Sequence, residues 1–162
     1  MLESLFLDYE SRNAADTRID LGRRGESIAA AYLLSRDYRL VIMNFTVPVG
    51  RNVKGVQVTG EIDIVAVDAD GVLCFVEVKT RRKDSFAGPL SAVDVRKQRQ
   101  ITRTSKIYKR IFGLWDAVSR FDVVTVVMPE GEEPHVELVR GFWHADKFRK
   151  RRWSAEIFHD FY

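Results

Sequence analysis

The sequence predicts an α/β fold in which helices flank a central mixed sheet. Beyond a short N-terminal stretch, two segments carry apolar residues at helical spacing, and five shorter segments are rich in β-branched and aromatic residues. The resulting order, α-β-β-β-α-β-β, is typical of a sheet that is covered by helices. With 162 residues, of which 46% are hydrophobic, the chain is long enough for one compact domain with a sizeable core.

The first half of the predicted domain contains one helix and three strands. The helix is predicted over residues 19–36 and the first strand over residues 40–45. Residues 47–59 contain one Pro, two Gly and one Asn, which leaves a loop and a loose hairpin extension as alternatives. The second and third strands are predicted over residues 61–67 and 72–79, and the Asp-Gly turn between them makes them an antiparallel hairpin.

The second half follows a polar loop that contains Gly and Pro. A long helix is predicted over residues 91–112, where apolar residues form one stripe. Strands are predicted over residues 121–128 and 135–139, and a turn around Gly131 separates them.

Three regions are expected along the chain. Residues 1–17 form an N-terminal extension, in which apolar residues at positions 2, 5, 6 and 9 predict a short amphipathic helix. Residues 18–142 form the main domain. Residues 143–162 form a basic, aromatic extension, for which a nucleic-acid contact and a surface helix with one apolar face remain alternatives.

The turn between the second and third strands sets their register. If the four residues after Val67 form the turn, Val67 pairs with Val72. Asp63 then lies opposite Val76 or Glu77. Side chains alternate along a strand, so Glu77 and Lys79 point to the same face. If Asp63 shares that face, its Cβ atom lies about 5 Å from that of Glu77.

The second strand is apolar on both of its faces. We expect Ile62, Ile64 and Ala66 on one face, and Val65 and Val67 on the other. Strands that are covered on both faces carry apolar residues on both, so the pattern predicts a central position in the sheet.

Composition and charge restrict the class of protein. Cys74, the single cysteine, excludes an intrachain disulfide and a multi-cysteine zinc site. The sequence shows no signal-peptide pattern and no apolar run near the roughly 18 residues of a membrane span, so we expect a cytoplasmic protein without membrane contact. Residues 79–110 contain eleven Lys and Arg against two Asp, which indicates phosphate-backbone binding or, equally, a solvated helix face.

Three charged residues end the apolar hairpin. Buried carboxylates as close as Asp63 and Glu77 repel each other and are costly to desolvate. A divalent cation relieves both problems, because Mg²⁺ binds one or two carboxylates together with waters and a substrate phosphate. Lys79 would then orient or help to deprotonate an attacking water. The alternative, a buried salt bridge between Lys79 and either acid, seldom gains stability over apolar residues.

These residues resemble a known motif. Gly60-Glu61-Ile62-Asp63, then thirteen residues, then Glu77-Val78-Lys79-Thr80-Arg81 resembles the PD-(D/E)xK nuclease motif. More closely, the chain is similar to the YraN-like family of predicted endonucleases, relatives of archaeal Holliday-junction resolvases. The likeness covers roughly residues 21–139. It also includes Gly22, Gly25-Glu26, Asn44, Lys97 and Arg120-Phe121-Asp122-Val123-Val124.

The resemblance implies a restriction-endonuclease-like core with αβββαβ order. It also implies that Asp63 and Glu77, with the backbone carbonyl of Val78, bind Mg²⁺ or Mn²⁺. Lys79 would be the catalytic lysine. In the resolvase relatives a glutamate of the first helix joins the site, and Glu26 is the matching residue here. A carboxylate favoured by the helix dipole is the alternative for Glu26.

The function expected from this reading is endonucleolytic hydrolysis of DNA, with branched or structured DNA included. By analogy with the resolvases, we expect a homodimer. A non-catalytic nucleic-acid-binding module and an interaction subunit of a repair assembly remain alternatives. The residues expected to contact nucleic acid follow or face the motif: Thr80, Arg81, Arg82, Lys83 and Lys97.

Overall fold

The computed structural model describes residues 18–82 and 93–148. The predicted N-terminal helix, Lys83 and most of the predicted C-terminal extension lie outside the described residues. Within them, no helix is both long enough and apolar enough to cross a membrane. The elements in chain order are α1 (Arg18–Leu34), β1 (Arg39–Arg51), β2 (Gln57–Val67), β3 (Leu73–Arg81), α2 (Val95–Ile111), β4 (Ser119–Val127), β5 (His135–Trp143) and a short 3₁₀ helix (Ala145–Phe148).

The described strands form one mixed sheet in the order β1-β2-β3-β4-β5. All neighbours are antiparallel except β3 and β4, which are parallel and are joined through α2. A parallel pair needs a crossover of this kind, because a tight turn reverses the chain direction. The predicted α/β class, the element order and the mixed sheet are confirmed.

The two helices cover opposite faces of the sheet. Ala29 and Leu33 of α1 pack against one face, in a cluster that includes Ile64 and Val76. Ile101 and Tyr108 of α2 pack against the other face, in a second cluster with residues of the same central strands. This double cover explains why β2, β3 and β4 are apolar on both sides.

The start of α2 is set by a capping residue. The Asp94 carboxylate accepts a hydrogen bond from the backbone N–H of Lys97, at 2.8 Å. An aspartate in this position satisfies an N–H group that the first turn of a helix leaves unpaired. The helix therefore begins at Val95, later than the predicted residue 91.

The hairpin of β2 and β3 is shifted by one residue from the predicted register. Val67 pairs with Leu73, not with Val72. The reason lies in Asp68, whose side chain accepts hydrogen bonds from the N–H groups of Asp70 and Val72 and so draws Val72 into the turn. The new register extrapolates to place Asp63 opposite Glu77, which is one of the two positions that the prediction allowed.

The Pro- and Gly-containing segment after the first strand is a hairpin extension, not a loop. β1 continues to Arg51 and β2 begins at Gln57, so only residues 52–56 remain outside the strands. β1 is an edge strand, a position in which a proline such as Pro48 is tolerated. The extension lies on α2, because Gln100 Nε2 donates to the Thr59 carbonyl at 2.9 Å.

β5 extends to Trp143, four residues beyond the predicted end at residue 139. Trp143 is buried and its ring stacks on Phe121, with the centroids 4.7 Å apart. Its indole N–H donates to the Thr102 hydroxyl of α2. The predicted first residue of the C-terminal extension thus belongs to the sheet, because tertiary packing outweighs the weak strand pattern of this segment.

Candidate active site

The site lies where β2 and β3 separate. Their backbone pairing ends at Ile64 and Val76, although β3 continues beside β4 to Arg81. Past this point the backbone N–H of Val78 donates instead to Oδ2 of Asp63, at 2.7 Å. The carboxylate of Asp63 therefore takes the place of a backbone partner and fills the gap between the two strands.

A backbone irregularity in β1 lies beside Asp63. Met43 pairs with Ile64 and Phe45 with Ile62, so Asn44 lies across from Asp63. Asn44 has a φ of 52°, a left-handed conformation that asparagine tolerates better than most residues. This irregularity affects which side chains of β2 share a face.

The predicted shared face of Ile62, Ile64 and Ala66 is wrong. Ile62 packs in the cluster against α2, whereas Ile64 and Ala66 pack in the cluster against α1. The alternation of side chains along β2 changes phase at Asp63, opposite the left-handed Asn44. Asp63 is thereby placed at the boundary between the two faces, within reach of β3.

Glu77 is buried at the same place and lies between two lysines. Its side chain is 3% exposed, with Oε1 3.4 Å from the ammonium nitrogen of Lys79 and Oε2 3.2 Å from that of Lys97. Oε2 has no hydrogen-bond partner among the described residues, because the close approach of Lys97 lacks hydrogen-bond geometry. A buried acceptor of this kind is expensive unless something else binds it.

The electrostatics of the site disfavour two free carboxylates. Burial, followed by the charge of Glu77, raises the pKa of Asp63 to about 7, although the Val78 hydrogen bond and Lys97 oppose the shift. Desolvation lowers the pKa of Lys97, but the carboxylates of Glu77 and Asp63 outweigh it and the net shift is upward. The negative charge at this position therefore attracts a cation.

The donor set fits a magnesium-type ion. Asp63 and Glu77 are two nearby carboxylates with one unsatisfied oxygen, and Mg²⁺ is commonly held by one or two carboxylates with waters. No cluster of three His, Cys, Asp or Glu side chains suited to a metal occurs within residues 18–82 and 93–148. Glu26 and the Val78 carbonyl remain predicted ligands beside Asp63 and Glu77.

Glu26 is near the site but is held by another partner. Its Oε2 accepts a hydrogen bond from Asn44 Nδ2 at 2.8 Å, and its charge contributes to the raised pKa of Asp63. The preceding Gly25 lies against β3, where an added Cβ atom would collide with the side chain of Thr80. Gly25 thus lets α1 approach the end of β3, and Asn44 directs Glu26 toward Asp63.

The structure separates the residues predicted to bind nucleic acid. Thr80 packs against Gly25 of α1, whereas Arg81 and Arg82 are the last described residues of this segment. Arg82 is exposed and Arg81 is half-buried. Lys97 instead contacts Glu77, so its first partner is the acidic pair itself.

Sequence reasoning missed this position of Lys97 and the role of Asn44. The observed start of α2 at Val95 places Lys97 in the first turn, where a positive charge opposes the helix dipole, whereas the start predicted at residue 91 did not. A residue in an electrostatically unfavourable position calls for a nearby negative partner. Nothing in the sequence identified that partner as Glu77.

Comparisons with known proteins identify a family. Residues 25–126 match the model of a family described as "Uncharacterised protein family UPF0102". The chain is 36% identical to a UPF0102 protein of Renibacterium salmoninarum over 125 residues, which cover 77% of this chain and 97% of the relative. It is 39% identical to a UPF0102 protein of Trichlorobacter lovleyi over 117 residues, which cover 72% of this chain and 84% of the relative. The crystal structure of SSO0001 aligns with a TM-score of 0.40 and 15% identity, over 90% of this chain and 61% of that one.

Proposed function

The chain belongs to the UPF0102 (YraN-like) family, and from its site we propose a divalent-metal-dependent endonuclease that hydrolyses phosphodiester bonds of DNA, branched DNA included. The observation that carries this proposal is the buried pair of Asp63 and Glu77 at the separation of two strands, with two lysines beside it. Oε2 of Glu77 is buried without a hydrogen bond from the described residues, and a bound metal ion would satisfy it alongside the charge of Lys97.

Asp63 and Glu77, with the Val78 carbonyl, are the residues that would hold Mg²⁺ or Mn²⁺. When bound, such an ion polarises a phosphoryl oxygen and lowers the pKa of a coordinated water. Asp63 is fixed for this task by the Val78 N–H, which occupies one of its oxygens and leaves the other available. Glu26, directed by Asn44, adds negative charge beside the pair.

The two lysines have different proposed roles. Lys79 is about one-third exposed and contacts Glu77, so it can orient an attacking water or neutralise charge on the phosphate. Lys97 is more enclosed and carries an upward-shifted pKa, which keeps it protonated. We therefore propose Lys79 as the catalytic lysine and Lys97 as a fixed positive charge that positions Glu77.

The first test is a cleavage screen. Linear, flapped and four-way DNA substrates are incubated with the protein and Mg²⁺ or Mn²⁺, and Glu77→Ala protein is purified and assayed in parallel. We expect cleavage by the wild-type protein with at least one metal, and a loss of at least a hundredfold in the variant. Equal cutting by both preparations would show that the activity does not come from this site.

The second test separates the enzyme from its two alternatives. Lys79→Ala should abolish cleavage while DNA binding in EDTA is retained. Binding without cleavage in the wild-type protein would indicate the non-catalytic module, and the absence of both would indicate the interaction subunit.

Two further expectations belong to the same proposal. A homodimer is proposed because resolution of a junction requires two symmetric cuts, and sedimentation at several concentrations tests it. A cytoplasmic location is proposed because the single cysteine, Cys74, is buried and unpaired, which suits a reducing compartment.

A further inference from the structure

Helix α2 carries charge of one sign. Between Val95 and Ile111 the sequence contains seven Lys and Arg residues and no Asp or Glu. Helix α1 differs, because its basic residues are interspersed with Asp20 and Glu26. Lys97 and Lys109 of α2 have partners, since Lys97 contacts Glu77 and Lys109 donates to the carbonyl of Ala117.

The other five basic residues are all exposed and share one side of the helix. They recur at alternating intervals of three and four, which is the spacing of a single helical face. We call this set the basic stripe: Arg96, Arg99, Arg103, Lys106 and Arg110. The opposite side of α2 is buried against the sheet through residues such as Ile101 and Tyr108.

The basic stripe is unfavourable for the isolated protein. Like charges three or four residues apart on a helix repel one another. Arg96 also lies in the first turn, where the helix dipole disfavours a positive charge. Among the described residues, no member of the stripe forms a salt bridge that would relieve the repulsion. A helix face that needed only to be soluble would gain by carrying both signs of charge.

We propose that the basic stripe binds the phosphate backbone of the nucleic acid that flanks the cleaved bond. This inference rests on the proposed function for the class of substrate. The stripe begins at Arg96, next to the Lys97 that contacts Glu77, and leads away from the site along α2. Fourteen residues of helix span about 21 Å. A DNA strand presents about six phosphates over that length.

Two observations favour nucleic acid over an anionic membrane. The apolar side of α2 is already buried against the sheet, so the helix has no free apolar face to insert into a bilayer. The guanidinium of Arg99 lies over the Phe148 ring at 5.5 Å and that of Arg110 over the Trp115 ring at 5.9 Å. These contacts hold two of the five charges in place, which suits a fixed row of phosphates.

The test compares two triple variants of equal charge. One carries Arg99→Gln, Arg103→Gln and Lys106→Gln on the stripe. The control carries Arg36→Gln, Arg39→Gln and Arg140→Gln, which are exposed residues outside α2. The affinity of each protein for a 30-base-pair duplex is measured in EDTA over a range of salt concentrations, so that no cleavage intervenes.

We expect the stripe variant to reduce the slope of log affinity against log salt by about two to three, roughly 0.9 for each lost phosphate contact. The control should keep the wild-type slope within about half a unit. Equal losses in both variants, an unchanged slope in the stripe variant, or no duplex binding by the wild-type protein would overturn the proposal. Loss of binding to phosphatidylglycerol vesicles with unchanged duplex binding would overturn it too.

Further measurements distinguish a loss of phosphate contacts from a loss of folding, and the stripe proposal from the proposed function. Glutamine is a good helix former and removes like-charge repulsion, so circular dichroism should show an unchanged or higher melting temperature for the stripe variant. If it unfolds, each single substitution should reduce the slope by about one, and no reduction in any of them overturns the inference. A wild-type protein that binds through the stripe but cuts nothing contradicts the proposed function alone. If the wild-type protein cuts DNA but the stripe variant keeps the wild-type salt slope, only the stripe proposal is contradicted.

Discussion

The ammonium nitrogen of Lys97 on α2 lies 3.2 Å from Oε2 of Glu77 on β3. That oxygen is buried and has no hydrogen-bond partner among the described residues. Helix α2 thus brings a positive charge to a carboxylate of the sheet, at the position where we propose that a metal ion binds. The cation and the lysine stabilise the same negative charge, and this overlap makes the first prediction testable.

Lys97→Met should destabilise the metal-free protein by about 1–2 kcal/mol. Removal of one partner of a buried pair costs more, about 3–5 kcal/mol, but Lys97 is partly exposed and Lys79 remains. Saturating Mg²⁺ should reduce the difference in stability between the variant and the wild-type protein, because the ion replaces the missing positive charge. Melting temperatures in EDTA and in Mg²⁺ measure both effects. Lys106→Met is the control, with a change within about 0.5 kcal/mol. If Mg²⁺ leaves the stability difference between the variant and the wild-type protein unchanged, the prediction is contradicted.

Asp63→Asn should stabilise the metal-free protein at pH 8 and much less at pH 4. Burial and Glu77 raise the pKa of Asp63 from 3.8 to about 7, so the folded protein holds this proton more tightly than the unfolded chain does. The stability associated with the protonated form is present below about pH 4 and is lost as the pH rises to about 7. Asparagine keeps an acceptor for the Val78 N–H and carries no charge.

The expected difference between the two pH values is on the order of a few kcal/mol, since one pKa unit corresponds to about 1.4 kcal/mol. Urea denaturation in EDTA at pH 4, 6 and 8 measures it. Equal stabilisation by Asp63→Asn at all three pH values would mean that ionisation of the Asp63 carboxylate does not destabilise the folded protein.

Two glycines of α1 give a matched pair of substitutions. Gly25→Ala should destabilise the protein by about 1–3 kcal/mol, because the new methyl group collides with Thr80 on β3. Gly22→Ala should stabilise it by about 0.5–1 kcal/mol, because nothing lies within 4 Å and alanine is the better helix former. Thermal unfolding of both proteins tests the pair. If Gly25→Ala leaves the melting temperature unchanged, α1 does not approach β3 as closely as the structure shows.

Arg120 holds three oxygen-bearing side chains together at the other end of the central strands. Its Nε donates to Asp122 at 2.9 Å, its Nη1 to Asp68 at 2.7 Å and its Nη2 to the Tyr38 hydroxyl at 2.8 Å. Arg120→Gln should cost about 3 kcal/mol, because the buried carboxylates of Asp122 and Asp68 lose their counter-charge.

Arg120→Lys should recover only part of that stability, since an ammonium group is a point charge without the planar fork of a guanidinium. Urea denaturation of the wild-type protein and both variants gives the comparison. Equal stability of the lysine variant and the wild-type protein would show that charge alone holds the network.

The hairpin of β2 and β3 shows which structural features the local sequence pattern predicts. Alternating apolar residues and an Asp-Gly turn predicted the pairing of β2 with β3, and with it the neighbourhood of Asp63 and Glu77. The error of one residue came from Asp68, whose side chain captures two backbone N–H groups of the turn. Both the success and the error arise within a few residues of chain, where propensity and turn chemistry act.

By itself, the sequence determined the α/β class, the order of the elements and the motif that joins Asp63, Glu77 and Lys79. Only the tertiary structure decided that Lys97 contacts Glu77 and that Asn44 lies across from Asp63. The reason is physical. Periodicity and turns report which face a residue takes within its own element, whereas a contact between a helix and a strand depends on how two elements dock, and docking is set by the whole buried core.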